Sequence, residues 1–457
     1  MLGGLLGANL WVPLGMLLGG LWFFAAPVLT GPALMFLLLV RGSIDSWAEE
    51  AQISSGGFTL NPVGIANLFL LGTVLALVVR RLPSGRFFWS PTLSALLIFA
   101  AYLAVTTLWS PYPEQSIREV VRFAALVAAF TISANLARDH PDWARRFVLV
   151  MSISILFPAY VAMVQFVTGT GLVDTTGVNR VYGTAWNPNG LGIYCMFNNL
   201  LVFPLMTGAW RERRPVVLLY ALIFVLSAVV GFLTYTRAVW LALPVGWILC
   251  AWYSTRRVSQ RLAKTAWLLL FGALVIAAIW PIAYARFMDE WEVISTLTPE
   301  QRMDPHFATA VLMRFYLWSI ALDLFRAHPW LGNGWGMFSP YLPKVSRIPP
   351  TWDPHNDYLL LLAETGVVGL FLFLVVVAAT FRRFVLNIRH SEGLALRLNV
   401  AAAASLAAYM FTAFTNNLFQ YTGATLYFWT LAGLAQGLVP PRPRRSKSAP
   451  RRISDHG

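Results

Sequence analysis

Eleven stretches of mostly apolar residues, each about the 20 residues that cover a bilayer's hydrocarbon core, recur along this chain. They lie near 62–79, 87–109, 120–137, 147–168, 189–209, 216–235, 238–253, 265–285, 357–380, 398–415 and 421–439. No water-soluble arrangement suits such a pattern, because only 12% of the 457 residues are charged against about 25% in soluble domains. The 31 Phe, 19 Trp and 15 Tyr exclude a fibrous or disordered chain. Residues 1–40 carry no charge and are interrupted by Pro27, Gly31 and Pro32, enough for one long crossing or two short ones. A cleavable signal peptide is not expected there, since no basic start precedes the apolar run and the run is too long. The fold class is therefore an all-α polytopic integral membrane protein with 12 or 13 transmembrane helices.

The placement of Lys and Arg orients the bundle. Alternate connections and the tail hold 23 of the 34 cations, among them Arg80, Arg81, Arg138, Arg211, Arg261, Lys264, Arg389 and Arg397, with only five acids. The other side has more acids than cations. The basic side is expected to face the cytoplasm, including the tail 440–457, whose cations then touch anionic lipid rather than nucleic acid. Cys195 and Cys250 are too few for a disulfide framework and are expected to be packing residues.

One connection breaks the rule of short loops. Residues 286–355 lie on the outer side, and loops longer than about 15 residues are usually functional or disordered. The aromatic-rich run 306–328 suits a helix lying along the membrane or packed under the loop. The expected layout is a helical bundle over 1–285, an extracytoplasmic subdomain over 286–355, a second part of the bundle over 356–439, and the tail.

The groups that could do chemistry converge on this outer side. Arg180 opens RVYGTAWNPN (180–189), where a loop enters a span and the turn at Asn187–Gly190 could present N–H groups to an anion; a turn beside a solvated Arg is the plain alternative. Arg237 ends TYTR between two apolar runs, where a cation needs an anion, a carboxylate or water. Arg314 has Asp323 or a lipid phosphate as competing partners. In HPWLGNGWGMF (328–338) the glycines at 332, 334 and 336 suit a turn, and the run does not match a phosphate-binding loop. His355, just before a span, is a neutral base at neutral pH if unperturbed. Spacing for zinc or calcium ligands is absent, so no metal and no cofactor is expected. Several guanidiniums beside one imidazole suit a lipid-anchored diphosphate and its displacement by a nucleophile that His355 deprotonates.

Over about 180–380 the chain resembles the bacterial O-antigen ligase and O-antigen polymerase superfamily. The residues carrying the resemblance are TYTR ending in Arg237, HPWLGNGWGMF, HNDYLLLLAETGVVGL (355–370) and the RVYGTAWNPN loop; Thr236 stands where many relatives carry Ser. The resemblance implies an inverting, metal-independent glycosyltransferase of the bacterial inner membrane. Such an enzyme takes a glycan from undecaprenyl diphosphate on the outer face and passes it to a sugar hydroxyl of lipid A–core or another glycan or glycolipid acceptor. It implies Arg180 and Arg237 as diphosphate contacts, Arg314 as a secondary anion contact in the same site, and His355 as the general base or the group that positions the acceptor. Asn187, Asn189, Thr236, His328, Gly332, Gly334, Asn356, Tyr358 and Glu364 take supporting places. A polymerase joining polyprenyl-linked repeat units is the alternative on the same motifs. A transporter of lipid-linked sugars ranks below both, because the charges sit at span ends rather than at the midplane.

Overall fold

The computed structural model describes residues 30–40, 53–55, 58–60, 62–173, 177–185, 187–255, 258–298, 310–346, 348 and 352–439. The question of one or two crossings within 1–40 falls mostly outside these residues, as does the basic tail 440–457.

Among the described residues the chain is nearly all helix. The first part of the bundle runs α1 (Thr30–Val40), α2 (Pro62–Arg81), α3 (Pro91–Thr106), α4 (Pro113–Asp139), α5 (Pro141–Ile153) and α6 (Leu156–Thr168), then α7 (Pro188–Arg211), α8 (Val217–Leu233), α9 (Arg237–Tyr253) and α10 (Val258–Thr296). The outer connection contributes α11 (Ala310–Ala327) and α12 (Phe338–Val345), and α13 (Asp357–Ile388), α14 (Gly393–Thr412) and α15 (Thr422–Gly437) complete the bundle. Two small antiparallel ribbons, β1 (Ile53–Ser55) with β2 (Phe58–Leu60) and β3 (Leu172–Val173) with β4 (Asn179–Arg180), sit in loops. Each of the eleven apolar stretches coincides with a helix or, for 147–168, with α5 and α6 in tandem. Among the described residues six segments are long and apolar enough to span a membrane on their own: Val63–Arg81, Pro113–Asp139, Pro141–Thr168, Pro188–Arg211, Asp357–Ile388 and Gly393–Thr412.

Several boundaries differ from expectation, the end of α10 by the most. Helix α10 runs on to Thr296, past the expected end at 285. Arg286, Asp289, Glu290 and Glu292 end the apolar run but do not break a helix, since Arg and Glu have good helix propensity and a single Asp costs no more than about 0.7 kcal/mol. Hydropathy marks where a helix leaves the apolar layer, not where it stops.

The tightest packing joins α4 to α15. Gly433 lies against the Phe130 carbonyl and the Ser133 hydroxyl, and Gly437 against Ala134, where any Cβ would collide. Small residues are what let helix backbones approach without a hydrophobic driving force. Buried amides then tie helices together: Asn198 donates to the Met151 carbonyl at 2.9 Å, Asn399 to the Ala435 carbonyl at 2.7 Å and Gln436 to Thr92 Oγ1 at 2.9 Å. Each such bond contributes roughly 0.6–2 kcal/mol in a bilayer. Large apolar side chains such as Leu75, Ile98, Leu222 and Phe371 point outward and exposed, which suits lipid rather than water. Both cysteines are buried and unbridged.

At one end of the bundle Arg81 pairs with Asp139 and Arg397 with Glu212. The connections 177–187, 234–236, 328–337, 352–356 and 413–421 close the other.

Candidate active site

The RVYGTAWNPN loop is fixed from below before it reaches any ligand. Gln165 on α6 accepts the N–H groups of Tyr182 and Gly183 at 3.0 and 2.8 Å and donates to the Gly183 carbonyl at 3.1 Å. Val181 donates to the Leu233 carbonyl at the end of α8. Arg180 is thereby held beside the α8–α9 turn, where its Nε donates to the Thr234 carbonyl at 2.9 Å and its Nη2 to Asn189 Oδ1 at 2.8 Å. Thr236 Oγ1 donates to the same Asn189 oxygen at 3.2 Å, so Asn189 joins the loop, the start of α7 and the turn that carries Arg237. Asn187 caps α7, its Oδ1 accepting from the Gly190 N–H at 2.9 Å.

His355 approaches from the opposite wall. Trp318 Nε1 on α11 donates to the Pro354 carbonyl at 2.7 Å, and Asn356 caps α13 by accepting from the N–H groups of Tyr358 and Leu359. Between these two anchors His355 takes a left-handed backbone with φ of 51°. Such a conformation is uncommon for a residue with a Cβ, and it clusters at functional sites where the surroundings over-determine it. Tyr235, two residues before Arg237, has φ of 52°. The Trp352 ring meets the imidazole edge-on at 6.1 Å.

These groups act on one another electrostatically. Burial, together with the Arg314 and Arg180 guanidiniums, holds the His355 imidazole down at about 4. Arg180 is lowered to about 10, chiefly by burial and also by the like charges of Arg314 and Arg237. The Arg180 and Arg314 guanidiniums, from β4 and α11, thus act on the imidazole from the loop before α13, and Arg237 of α9 acts on Arg180. Asp323, a candidate partner for Arg314, is ion-paired with Arg326 at 2.8 Å.

The segment TNNLFQYTG (415–423), between α14 and α15, supplies three residues that sequence inspection passed over. The Asn417 amide lies 3.3 Å from His355 Nδ1, and its Oδ1 is buried without a hydrogen-bond partner. Turning that amide over lets Oδ1 accept from Nδ1–H and leaves Nε2 with a free lone pair. Tyr421 is hydrogen-bonded to Asn187 and Asn189 and feels the charge of Arg314; burial raises its phenol. Gln420 donates to Asp353, whose carboxyl also accepts from Ser339 Oγ at 2.6 Å and is raised by burial to about 7. A polar run between two apolar spans, on the same end as His355, was the available signal.

The remaining sequence candidates belong to a different structure. Glu364, 2% exposed on α13, accepts from the N–H groups of Gly336 and Phe338 at 2.8 Å each. Asn333 and Gly334 donate to the carbonyls of Ala363 and Glu364, while Val367 donates to that of Pro329. Gly332 and Gly366 both have positive φ, and a Cβ on either would strike the facing backbone. HPWLGNGWGMF is therefore a backbone-to-backbone dock on α13 rather than part of the cationic cluster, with His328 exposed beside it. Tyr358 likewise serves packing, donating to the Met410 carbonyl at 2.8 Å. Under the dock, Leu317, Ala321 and Leu324 of α11 pack on Met337, Phe338, Leu342 and Leu360, which fixes α11 and hence Arg314.

Residues 222–374 match the family model described as O-antigen ligase, a stretch running from α8 into α13 and containing Arg237, Arg314 and His355. An O-antigen ligase of Pseudomonas aeruginosa is 25% identical over 298 residues, covering 64% of this chain and 64% of its own length, so the match spans a little under two thirds of that relative. The apolar helices and these similarities make the chain an integral membrane protein.

Proposed function

From a chain whose similarities support the O-antigen ligase superfamily, we propose a membrane glycosyltransferase that moves a glycan from undecaprenyl diphosphate to a sugar hydroxyl. The observation that carries this reading is a cluster in which Arg180 and Arg314 act on an uncharged His355 and Arg237 acts on Arg180. The guanidiniums take the diphosphate oxygens of the donor. The acceptor hydroxyl then attacks the anomeric carbon, the bond from that carbon to the diphosphate breaks with inversion, and His355 takes the hydroxyl proton. Negative charge gathered on the departing undecaprenyl diphosphate is met by groups already in place.

Donor binding also prepares the base. Burial, and after it the Arg314 and Arg180 guanidiniums, depress the imidazole; a polyvalent anion between the guanidiniums offsets their share and moves His355 toward its ordinary basicity. The base is thus strengthened when the activated sugar is present.

In this reading 12 or 13 helices span the inner membrane, the basic helix ends and the C-terminus face the cytoplasm, and the site opens on the outer side. The donor brings its own activation, so no metal or cofactor enters the scheme. Lipid A–core is the favoured acceptor, since both similarities are to ligases.

The test is genetic. In a strain lacking the chain, complementation with Arg180→Ala or Arg237→Ala should leave polymer on its carrier and none on lipid A, each substitution costing about 10²–10³ in rate. Single repeat units on an acceptor would instead indicate a polymerase. Labelled lipid-linked glycan crossing a reconstituted bilayer without bond formation would indicate a transporter.

Asn417 offers a narrower check. In Asn417→Asp a carboxylate beside the ring favours the imidazolium and raises the His355 pKa above about 4. Activity that needs the neutral ring is then lost at a higher pH as the solution is acidified. An acid limb that stays in place would show that the two side chains do not communicate.

A further inference from the structure

Three helices that begin at the site end together at a second cavity. Helix α7 starts beside Asn189 and finishes at Arg211, α9 runs from Arg237 to Tyr253, and α13 runs from Asp357 to Ile388 with Arg389 as its cap. At 1.5 Å per residue the 17 residues of α9 and the 24 of α7 put about 25–35 Å between the two ends. The far cavity has a volume of about 1240 Å³, and Arg211, Arg261, Lys264 and Arg389 are among its lining residues, with no Asp or Glu among them.

Two of these cations are posed by the protein. Arg261 lies over the Trp252 ring at 5.3 Å and donates to the Thr255 carbonyl at 2.6 Å, and Lys264 donates to Thr255 Oγ1 at 2.7 Å. Arg211 and Arg389 have no ion-pair partner among the described residues. Four like charges around one hollow repel one another unless an anion sits between them.

A neighbouring cavity of about 620 Å³ shares Arg211, Ser254 and Lys264 with the first and is otherwise walled mainly by apolar groups such as Phe203, Met206, Trp267 and Leu268. A cationic hollow that shares a wall with an apolar one matches a molecule with an anionic head and a hydrocarbon tail. We propose that this pair of cavities binds an anionic phospholipid, its phosphate among Arg211, Arg261, Lys264 and Arg389 and one acyl chain along α7, α8 and α10. A free phosphate would satisfy the first cavity and leave the second without a purpose.

Binding is read with no transfer reaction, on the detergent-purified full chain, by titrating fluorescent phosphatidylglycerol and phosphatidylcholine. Phosphatidylglycerol should bind clearly tighter, and Arg211→Gln with Arg389→Gln should weaken it about fivefold for each charge removed, while Arg211→Lys with Arg389→Lys retains it. Leu268→Trp, which fills the apolar cavity, should weaken the lipid as well. Should the Gln variant fail to fold, lipid selectivity of the parent protein and the Leu268→Trp variant still decide the matter. Equal affinity for the two lipids, or full phosphatidylglycerol binding by the folded Gln variant, overturns the proposal. Glycerol phosphate competing as well as the whole lipid overturns the lipid assignment in favour of a soluble phosphate.

Discussion

A His355→Ala protein is expected to fold and insert while transferring glycan about 10²–10⁴-fold more slowly, the usual contribution of a positioned general base. His355→Gln, which keeps a hydrogen-bonding group but cannot accept the proton, should fare no better. Acidification separates the base from a merely structural imidazole. In the empty site burial and two guanidiniums hold His355 at about 4, and the neutral ring is the active form, so kcat/KM for the donor should persist down to that region. In the donor complex the anion offsets those guanidiniums, so kcat should begin to fall at a higher pH than kcat/KM does. Coincident acid limbs would remove the proposed coupling between diphosphate and base. Normal surface glycan from a stably expressed His355→Ala protein would remove the catalytic assignment altogether.

The second large effect is on stability and lies at Glu364. Glu364→Ala strips the acceptor from two N–H groups, those of Gly336 and Phe338. An unsatisfied buried donor costs about 1–3 kcal/mol, so the pair should cost roughly 2–6 kcal/mol. Glu364→Gln keeps one carbonyl oxygen and should lose about half as much. Heat inactivation in detergent gives the order: parent, Gln, then Ala. The Ala variant should also lose activity, because α11 and its Arg314 rest on the docked loop. An Ala variant as heat-resistant as the parent would mean that the dock does not hold the loop.

Much of this architecture is legible in the sequence because hydrocarbon permits so few alternatives. A segment such as 189–209 has to satisfy its backbone internally and so becomes a helix. Arg180, Arg237, Arg314 and His355 were visible for the same reason: a charge or imidazole at a span edge needs an explanation. Their mutual approach was not visible, since it depends on α11 folding back onto α13 through Leu317 and Leu324. Asn417, Gln420 and Tyr421 escaped notice because neutral polar residues in a short connection look like an ordinary turn. The glycines of HPWLGNGWGMF were recognisable as a turn, but nothing local shows that Glu364, 28 residues beyond Gly336, holds its N–H groups. The extension of α10 to Thr296 was hidden by its charges.

The left-handed backbone at position 355 also governs how the site can be varied. Such dihedrals cost an ordinary L-residue roughly 1–2 kcal/mol, while Asn, Asp and Gly tolerate them best. In a saturation library at this codon, β-branched replacements would be lost through misfolding and would say nothing about chemistry. Asn, isosteric enough to keep the turn yet unable to serve as a base, is the knockout whose silence could be attributed to the missing imidazole alone.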